Sequence, residues 1–128
     1  MPGFIHHVSI TCSDIAASQS FYNILGFTPS KTYEDDSCII IFLKGENACL
    51  ELFNFKATNT DFFERRKIES IGLTHIGIKT ENLGHSRSML TNAGHQCHEN
   101  KEARIGGFTY FFTSDPDGNL VEMIEEHI

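Results

Sequence analysis

No stretch of this chain is long and apolar enough to span a bilayer: its longest run of aliphatic and aromatic residues, 39–43, falls far short of the ~20 residues that a helix needs. The N-terminus also lacks the basic stretch followed by an apolar core that marks a secretory signal. These absences predict a cytoplasmic address and no membrane partner. Basic runs are equally scarce. The densest is Arg65-Arg66-Lys67, in a chain of net charge −7, which argues against nucleic acid as a partner. The four cysteines, Cys12, Cys38, Cys49 and Cys97, show no CxxC spacing. Without an export signal they are expected to be reduced and to serve as small core or wall residues. Low-complexity tracts are missing too. What is present is 128 residues, 40% hydrophobic and 21% charged, the composition of one soluble domain that buries a core without staples.

The chain is written twice. Ile5-His6-His7-Val8-Ser9-Ile10 is matched by Leu73-Thr74-His75-Ile76-Gly77-Ile78, and the offset from His7 to His75 is 68 residues. At the same offset Asp14 falls on Asn82, Phe21 on Met89 and Gly26 on Gly94. Each half therefore reads as a strand, a polar cap, about ten helix-compatible residues and a terminating glycine. Further strands are expected at 37–43 and 48–53 in the first half and at 108–113 and 120–124 in the second, with weaker polar strands at 30–34 and 95–101. Turn-forming residues, Gly45-Glu46-Asn47 and Asp115-Pro116-Asp117-Gly118-Asn119, join the strong pairs. The pattern predicts an α+β fold of two βαβββ modules, at about 4–55 and 72–128, joined by a polar linker at 56–71 with a short helix near 61–67.

Strand parity singles out four side chains. Successive residues of a strand alternate between faces, so Val8, Ile10 and Cys12 share the apolar face while His7, Ser9 and Thr11 share the polar one. The same parity in the second half sets Ile76 and Ile78 inward and His75 opposite them. Cys49-Leu50-Glu51-Leu52-Phe53 and Leu120-Val121-Glu122-Met123-Ile124 each place one glutamate amid an apolar strand, where an ionised carboxylate needs a basic partner, solvent or a cation. Two histidines and two glutamates at matching places in two repeats predict one metal site of His7, Glu51, His75 and Glu122. Imidazole and carboxylate suit Ni, Zn, Co, Mn or Fe as a divalent ion. His6, by the same parity, is set apart from His7. His85, His95, His98 and His127 are read as structural or surface residues.

At this point the chain resembles the vicinal oxygen chelate superfamily, which includes glyoxalase I. The resemblance rests on His7-Val8, Asp14, Phe21-Tyr22, Leu25-Gly26-Phe27, Leu50-Glu51-Leu52, Gly72-Leu73-Thr74-His75, and Asp115-Pro116-Asp117-Gly118-Asn119 with Glu122, and it covers nearly the whole chain. It implies mixed sheets curled into a cup around a divalent metal, with ligands from the first and last strand of each module. Those positions here are His7, Glu51, His75 and Glu122. It also implies a homodimer, whose cup closes within one chain or by exchange of modules between two.

All four ligand positions are filled, as in glyoxalase I. The implied function is that of a metal-dependent lyase or isomerase of lactoylglutathione lyase type, acting through an enediolate on a small thiol-conjugated 2-oxoaldehyde. Glu122 is then the first choice of catalytic base and Glu51 the second. The alternatives are an epimerase, an Fe(II) extradiol-type dioxygenase, and a metal-free binding module of the bleomycin-resistance kind. Candidate substrate contacts are Lys101 and Arg104, cationic residues before the strand at 108, and Tyr110 and Phe112, which share one face of that strand.

Overall fold

The computed structural model describes residues 1–57 and 67–128. The chain divides into two compact units, Met1–Phe62 and Phe63–Ile128. The first contains β1 (Val8–Thr11), α1 (Ile15–Ile24), β2 (Thr28–Glu34), β3 (Cys38–Lys44) and β4 (Cys49–Phe55), with sheet order β1-β4-β3-β2. β1 runs parallel to β4 and the other neighbours are antiparallel. The Asp14 carboxylate caps α1 by accepting the Ala17 N–H at 3.1 Å, and Gly26, at φ +98°, turns the chain out of the helix. α1 packs on β4, and Ile10, Phe21, Tyr22, Leu43, Leu50 and Leu52 form the buried core. With Leu50 and Leu52 turned into that core, alternation leaves Glu51 on the other face of β4.

The second unit repeats the plan with β5 (His75–Lys79), α2 (Leu83–Asn92), β6 (Lys101–Glu102), β7 (Phe108–Ser114) and β8 (Leu120–Glu126), in the order β5-β8-β7-β6. Asn82 caps α2 through the His85 N–H at 2.9 Å, and Gly94 leaves the helix at φ +91°. Leu83, Leu90, Phe111, Val121 and Met123 are buried, and the Arg87 guanidinium lies 4.4 Å from the Phe111 ring centroid. Glu122, between buried Val121 and Met123, is again turned the other way. Both units are thus βαβββ, and together they give the expected α+β fold with two four-stranded mixed sheets. Among the described residues, no helix is long and apolar enough to cross a membrane.

The β7–β8 turn sets the register that places Glu122. The buried Asp115 carboxylate accepts the N–H groups of Asp117 and Asn119 at 3.0 and 2.9 Å and the Asn119 amide at 2.8 Å. The ladder closes from Ser114↔Leu120, against Lys44↔Cys49 in the first unit, so this turn is one residue longer. Phe42 lies opposite Glu51 and Phe112 opposite Glu122, and the offset has already grown from 68 to 70 by that point. Two of the three extra residues between the histidine and glutamate offsets therefore precede β7.

Two expectations need correction, and a third lies outside the described residues. β1 begins at Val8 and β5 at His75, so His6 and His7 precede the ladder and strict alternation does not govern them. The strand expected at 95–101 is reduced to an isolated Cys97↔Thr113 bridge and the two-residue β6. Side chains take the carbonyls there: Thr113 Oγ1 donates to Gln96 O at 2.8 Å and the Arg87 guanidinium to His98 O at 2.7 Å. The short helix expected near 61–67 falls, apart from Lys67, outside the described residues.

Candidate metal centre

In the first unit His7 Nε2 lies 3.3 Å from Glu51 Oε1. In the second, His75 Nε2 lies 3.5 Å from Glu122 Oε1. The same two atoms meet in each repeat, and all four side chains are partly buried, the most enclosed being Glu122 at 14% exposure. An aromatic wall recurs as well. Phe42 stands edge-on to His7 with centroids 5.5 Å apart, and Phe112 edge-on to His75 at 5.1 Å. Each ring is contributed by the residue opposite the glutamate in the antiparallel ladder.

The far nitrogen of each imidazole is also engaged. His75 Nδ1 lies 2.7 Å from Thr74 Oγ1, and His7 Nδ1 lies 2.8 Å from His6 Nδ1. A ring held at Nδ1 keeps its Nε2 directed at the carboxylate, the usual arrangement for a metal-binding histidine. His6 is therefore not remote from His7, as parity alone suggested, but buttresses its outer nitrogen.

The two carboxylates differ. Glu51 Oε1 also accepts a hydrogen bond from Ser9 Oγ at 2.7 Å, across the Ser9↔Glu51 register pair. The residue opposite Glu122 is Gly77, which carries no side-chain donor. A Cβ at Gly77 would lie 3.5 Å from Glu122 Oε1 and 3.1 Å from Ile124 Cδ1, so glycine keeps that flank open.

The residues present fit a divalent ion. With bonds of about 2.0–2.2 Å from nitrogen and oxygen, two donors at a near-tetrahedral angle lie roughly 3.4 Å apart. The observed separations, 3.3 and 3.5 Å, match that spacing. Among the described residues, no group of three or more His, Cys, Asp or Glu side chains is placed to hold a metal ion. Each unit brings one imidazole and one carboxylate together.

The four residues expected to contact substrate come together. Lys101, Arg104, Tyr110 and Phe112 line one cleft of the second unit, about 610 Å³ in volume, with Ile68, His98, Glu99 and Leu120. Tyr110 and Phe112 share a face, with ring centroids 5.6 Å apart, and Leu120 pairs in register with His75. His98, read as a structural or surface residue, is exposed and lines this cleft. Phe42, Thr74, His6 and Ser9 escaped sequence reasoning. A comparison of Ile40-Ile41-Phe42-Leu43 with Tyr110-Phe111-Phe112-Thr113 would have revealed the first, since an aromatic stands in the same place before each glutamate strand. Among the described residues the four cysteines form no disulfide, and Cys12 and Cys38 are buried in the core.

The comparisons with known proteins agree with this architecture. YaeR of Escherichia coli K12 is 29% identical over 131 residues, covering 95% of each chain. YwkD of Bacillus subtilis 168 is 32% identical over 130 residues, covering 95% of this chain and 96% of its own. Among solved structures, a glyoxalase family protein from Enterococcus faecalis superposes with a TM-score of 0.78 at 28% identity, covering 95% of this chain and 97% of that one. The family model described as Glyoxalase/Bleomycin resistance protein/Dioxygenase superfamily matches residues 4–123. With paired βαβββ units and a match along almost its entire length, the chain belongs to the glyoxalase/bleomycin resistance protein/dioxygenase superfamily, the vicinal oxygen chelate proteins.

Proposed function

We propose that His7, Glu51, His75 and Glu122 together hold one divalent metal ion, and that the protein is a lyase or isomerase of the lactoylglutathione lyase type. Its substrate on this reading is a small thiol conjugate of a 2-oxoaldehyde, and its working form is a cytoplasmic homodimer. The observation that carries the proposal is the recurrence, in both repeats, of an imidazole Nε2 and a carboxylate Oε1 at ligand spacing. Surface ion pairs have no reason to repeat with the same atoms, the same aromatic wall and an engaged Nδ1 in each case.

A divalent ion held there would supply a Lewis acid that makes a C–H beside a carbonyl easier to deprotonate. Glu122 is the group to take that proton and return it to the neighbouring carbon. Its carboxylate has His75 as its ion-pair partner and an open flank at Gly77, whereas Glu51 is held by both His7 and Ser9. Glu51 is the second choice for the same role. Phe112 and Tyr110 would wall the reacting end of the substrate, with Lys101 and Arg104 as further contacts in the adjoining cleft.

Elemental analysis of tag-free protein tests the proposal. About one transition metal per chain is expected, lost in both His75→Ala and Glu122→Ala. The metal-loaded protein should convert methylglyoxal plus a low-molecular-weight thiol well above a Glu122→Gln background. Metal without that conversion would redirect the assignment to an epimerase acting on a 2-substituted acyl thioester. Iron with catechol-dependent oxygen uptake would instead indicate a dioxygenase. No metal after reconstitution with each candidate ion would overturn the proposal in favour of a metal-free binding module, in which the two His–Glu contacts are simple ion pairs.

A further inference from the structure

The cleft of the second unit is divided by chemistry. Tyr110, Phe112, Leu120 and Ile68 make an apolar wall, and Lys101, Arg104, His98 and Glu99 a polar one in which two cations face a single carboxylate. Its volume, about 610 Å³, is that of a small-molecule site. Two cationic side chains in one cleft are notable in a chain of net charge −7. Lys56 and Lys79 are paired with Glu34 and Glu126, but among the described residues no carboxylate pairs with Lys101 or Arg104.

The acid nearest to them in sequence is held elsewhere. Glu102 faces Thr109 in the β6–β7 ladder, while Lys101 faces Tyr110, so alternation puts the acid and the base on opposite sides. Glu102 Oε1 accepts from Thr109 Oγ1 at 2.7 Å, and Glu102 Oε2 lies 3.2 Å from His127 Nε2. His127 is in turn 2.9 Å from Thr109 Oγ1 and donates its backbone N–H to Gly107 O at 2.8 Å. This cluster occupies Glu102, which leaves Glu99 as the one carboxylate lining the cleft, against two cations with which it forms no ion pair among the described residues. Arg104 is presented from the tight turn closed by Gly106 N–H to Ala103 O at 2.9 Å, with Gly106 and Gly107 at φ +85° and +89°.

We propose that Lys101 and Arg104 form an oxyanion subsite, and that the ligand of this cleft is an amphipathic anion: a carboxylate or phosphate borne on an apolar body that lies along Tyr110, Phe112 and Leu120. Phe112 also stands against His75, so the end of the ligand away from the anion is next to the His75–Glu122 pair. The inference rests on the proposed function for what happens at that pair. The anion subsite itself lies wholly within the second unit.

The test is an amide-resolved NMR titration of metal-free full-length protein with 4-phenylbutyrate, its neutral isostere 4-phenylbutyramide, phenyl phosphate and inorganic phosphate. The carboxylate is expected to bind at least about tenfold more tightly than the amide, the size of one charge-assisted hydrogen bond, and to shift the resonances of Lys101, Tyr110 and Phe112. Phenyl phosphate binding more tightly than phenylbutyrate would assign the anion as a phosphate ester, and the reverse as a carboxylate. A Lys101→Gln/Arg104→Gln double variant should abolish the preference for anion over amide, while Glu102→Gln should preserve it. Spectral dispersion reports directly whether each variant is folded. Equal binding of carboxylate and amide, an undiminished preference in the double variant, inorganic phosphate binding as well as the aryl anions, or no binding of phenylbutyrate would each overturn the inference. The anion preference should survive in His75→Ala, which separates this test from that of the metal centre.

Discussion

At the scale of single residues, the proposed metal centre depends on what holds each candidate ligand as much as on the candidates themselves. Thr74 engages the outer nitrogen of His75, and Ser9 donates to Glu51 Oε1, the same oxygen that faces His7. Such partners add no charge, but they hold a donor in the one orientation that an ion can use, and losing one typically costs 10- to 100-fold in affinity, about 1.4–3 kcal/mol. Thr74→Val and Ser9→Ala should therefore each weaken metal binding by roughly tenfold or more, measured by competition with a chromophoric chelator, while leaving the fold intact. Unchanged affinity in both variants would mean that the ligands are oriented by backbone and packing alone. Alternation set Ser9 on the face of His7 but singled out neither residue as a partner of the candidate ligands. Strand parity says which face a side chain occupies, but a hydrogen bond to a neighbour one position away, as from Thr74 to His75, depends on rotamers that parity does not specify.

At the scale of elements, most of the architecture could be read because each feature has a local cause. The caps Asp14 and Asn82 and the exits Gly26 and Gly94 delimit two ten-residue helices, and single glutamates flanked by buried aliphatics fix the face of β4 and β8. Where side chains compete for backbone groups, local reading fails, as between Gln96 and Asn100, where Thr113 and Arg87 take carbonyls and the ladder shrinks to the Cys97↔Thr113 bridge. The β2–β3 turn shows the same side-chain chemistry in a stabilising role. The Asp35 carboxylate accepts from Ser37 Oγ and N–H, both at 2.8 Å, from the Cys38 N–H at 3.0 Å and from Tyr33 Oη at 2.9 Å. Those hydrogen bonds, from Ser37 first, hold its carboxyl far below the usual range, and the Tyr33 phenol is raised in return by its bond to Asp35. A depressed acid stabilises the fold above its unfolded value of about 4 and ceases to do so as pH falls toward the folded value. Asp35→Ala should thus lower the melting temperature at neutral pH, with the gap to wild type narrowing steadily below pH 4. A gap independent of pH would assign the effect to turn geometry rather than to ionisation.

At the scale of the whole molecule, the candidate site was legible only through the repeat. A lone histidine or glutamate in a strand carries no functional message, but the offsets of 68 and 71 residues that relate His7 to His75 and Glu51 to Glu122 make the four equivalent. What a repeat cannot encode is its pairing partner, because both halves are built alike and either could complement a half from its own chain or from a second copy. The proposed four-ligand centre makes the two pairs interdependent: with only two candidate ligands per unit, disabling either pair should empty the site. His7→Ala/Glu51→Ala and His75→Ala/Glu122→Ala are each expected to lose the metal, even though each leaves the other pair untouched. Mixing the two variants after reversible unfolding then reports the arrangement. If modules are exchanged in a dimer, a mixed dimer regains one intact site, and random assortment restores about a quarter of the wild-type metal content. If each chain closes its own site, mixing restores none. Full retention of metal by either double variant would show that one pair suffices and would overturn the four-ligand centre itself.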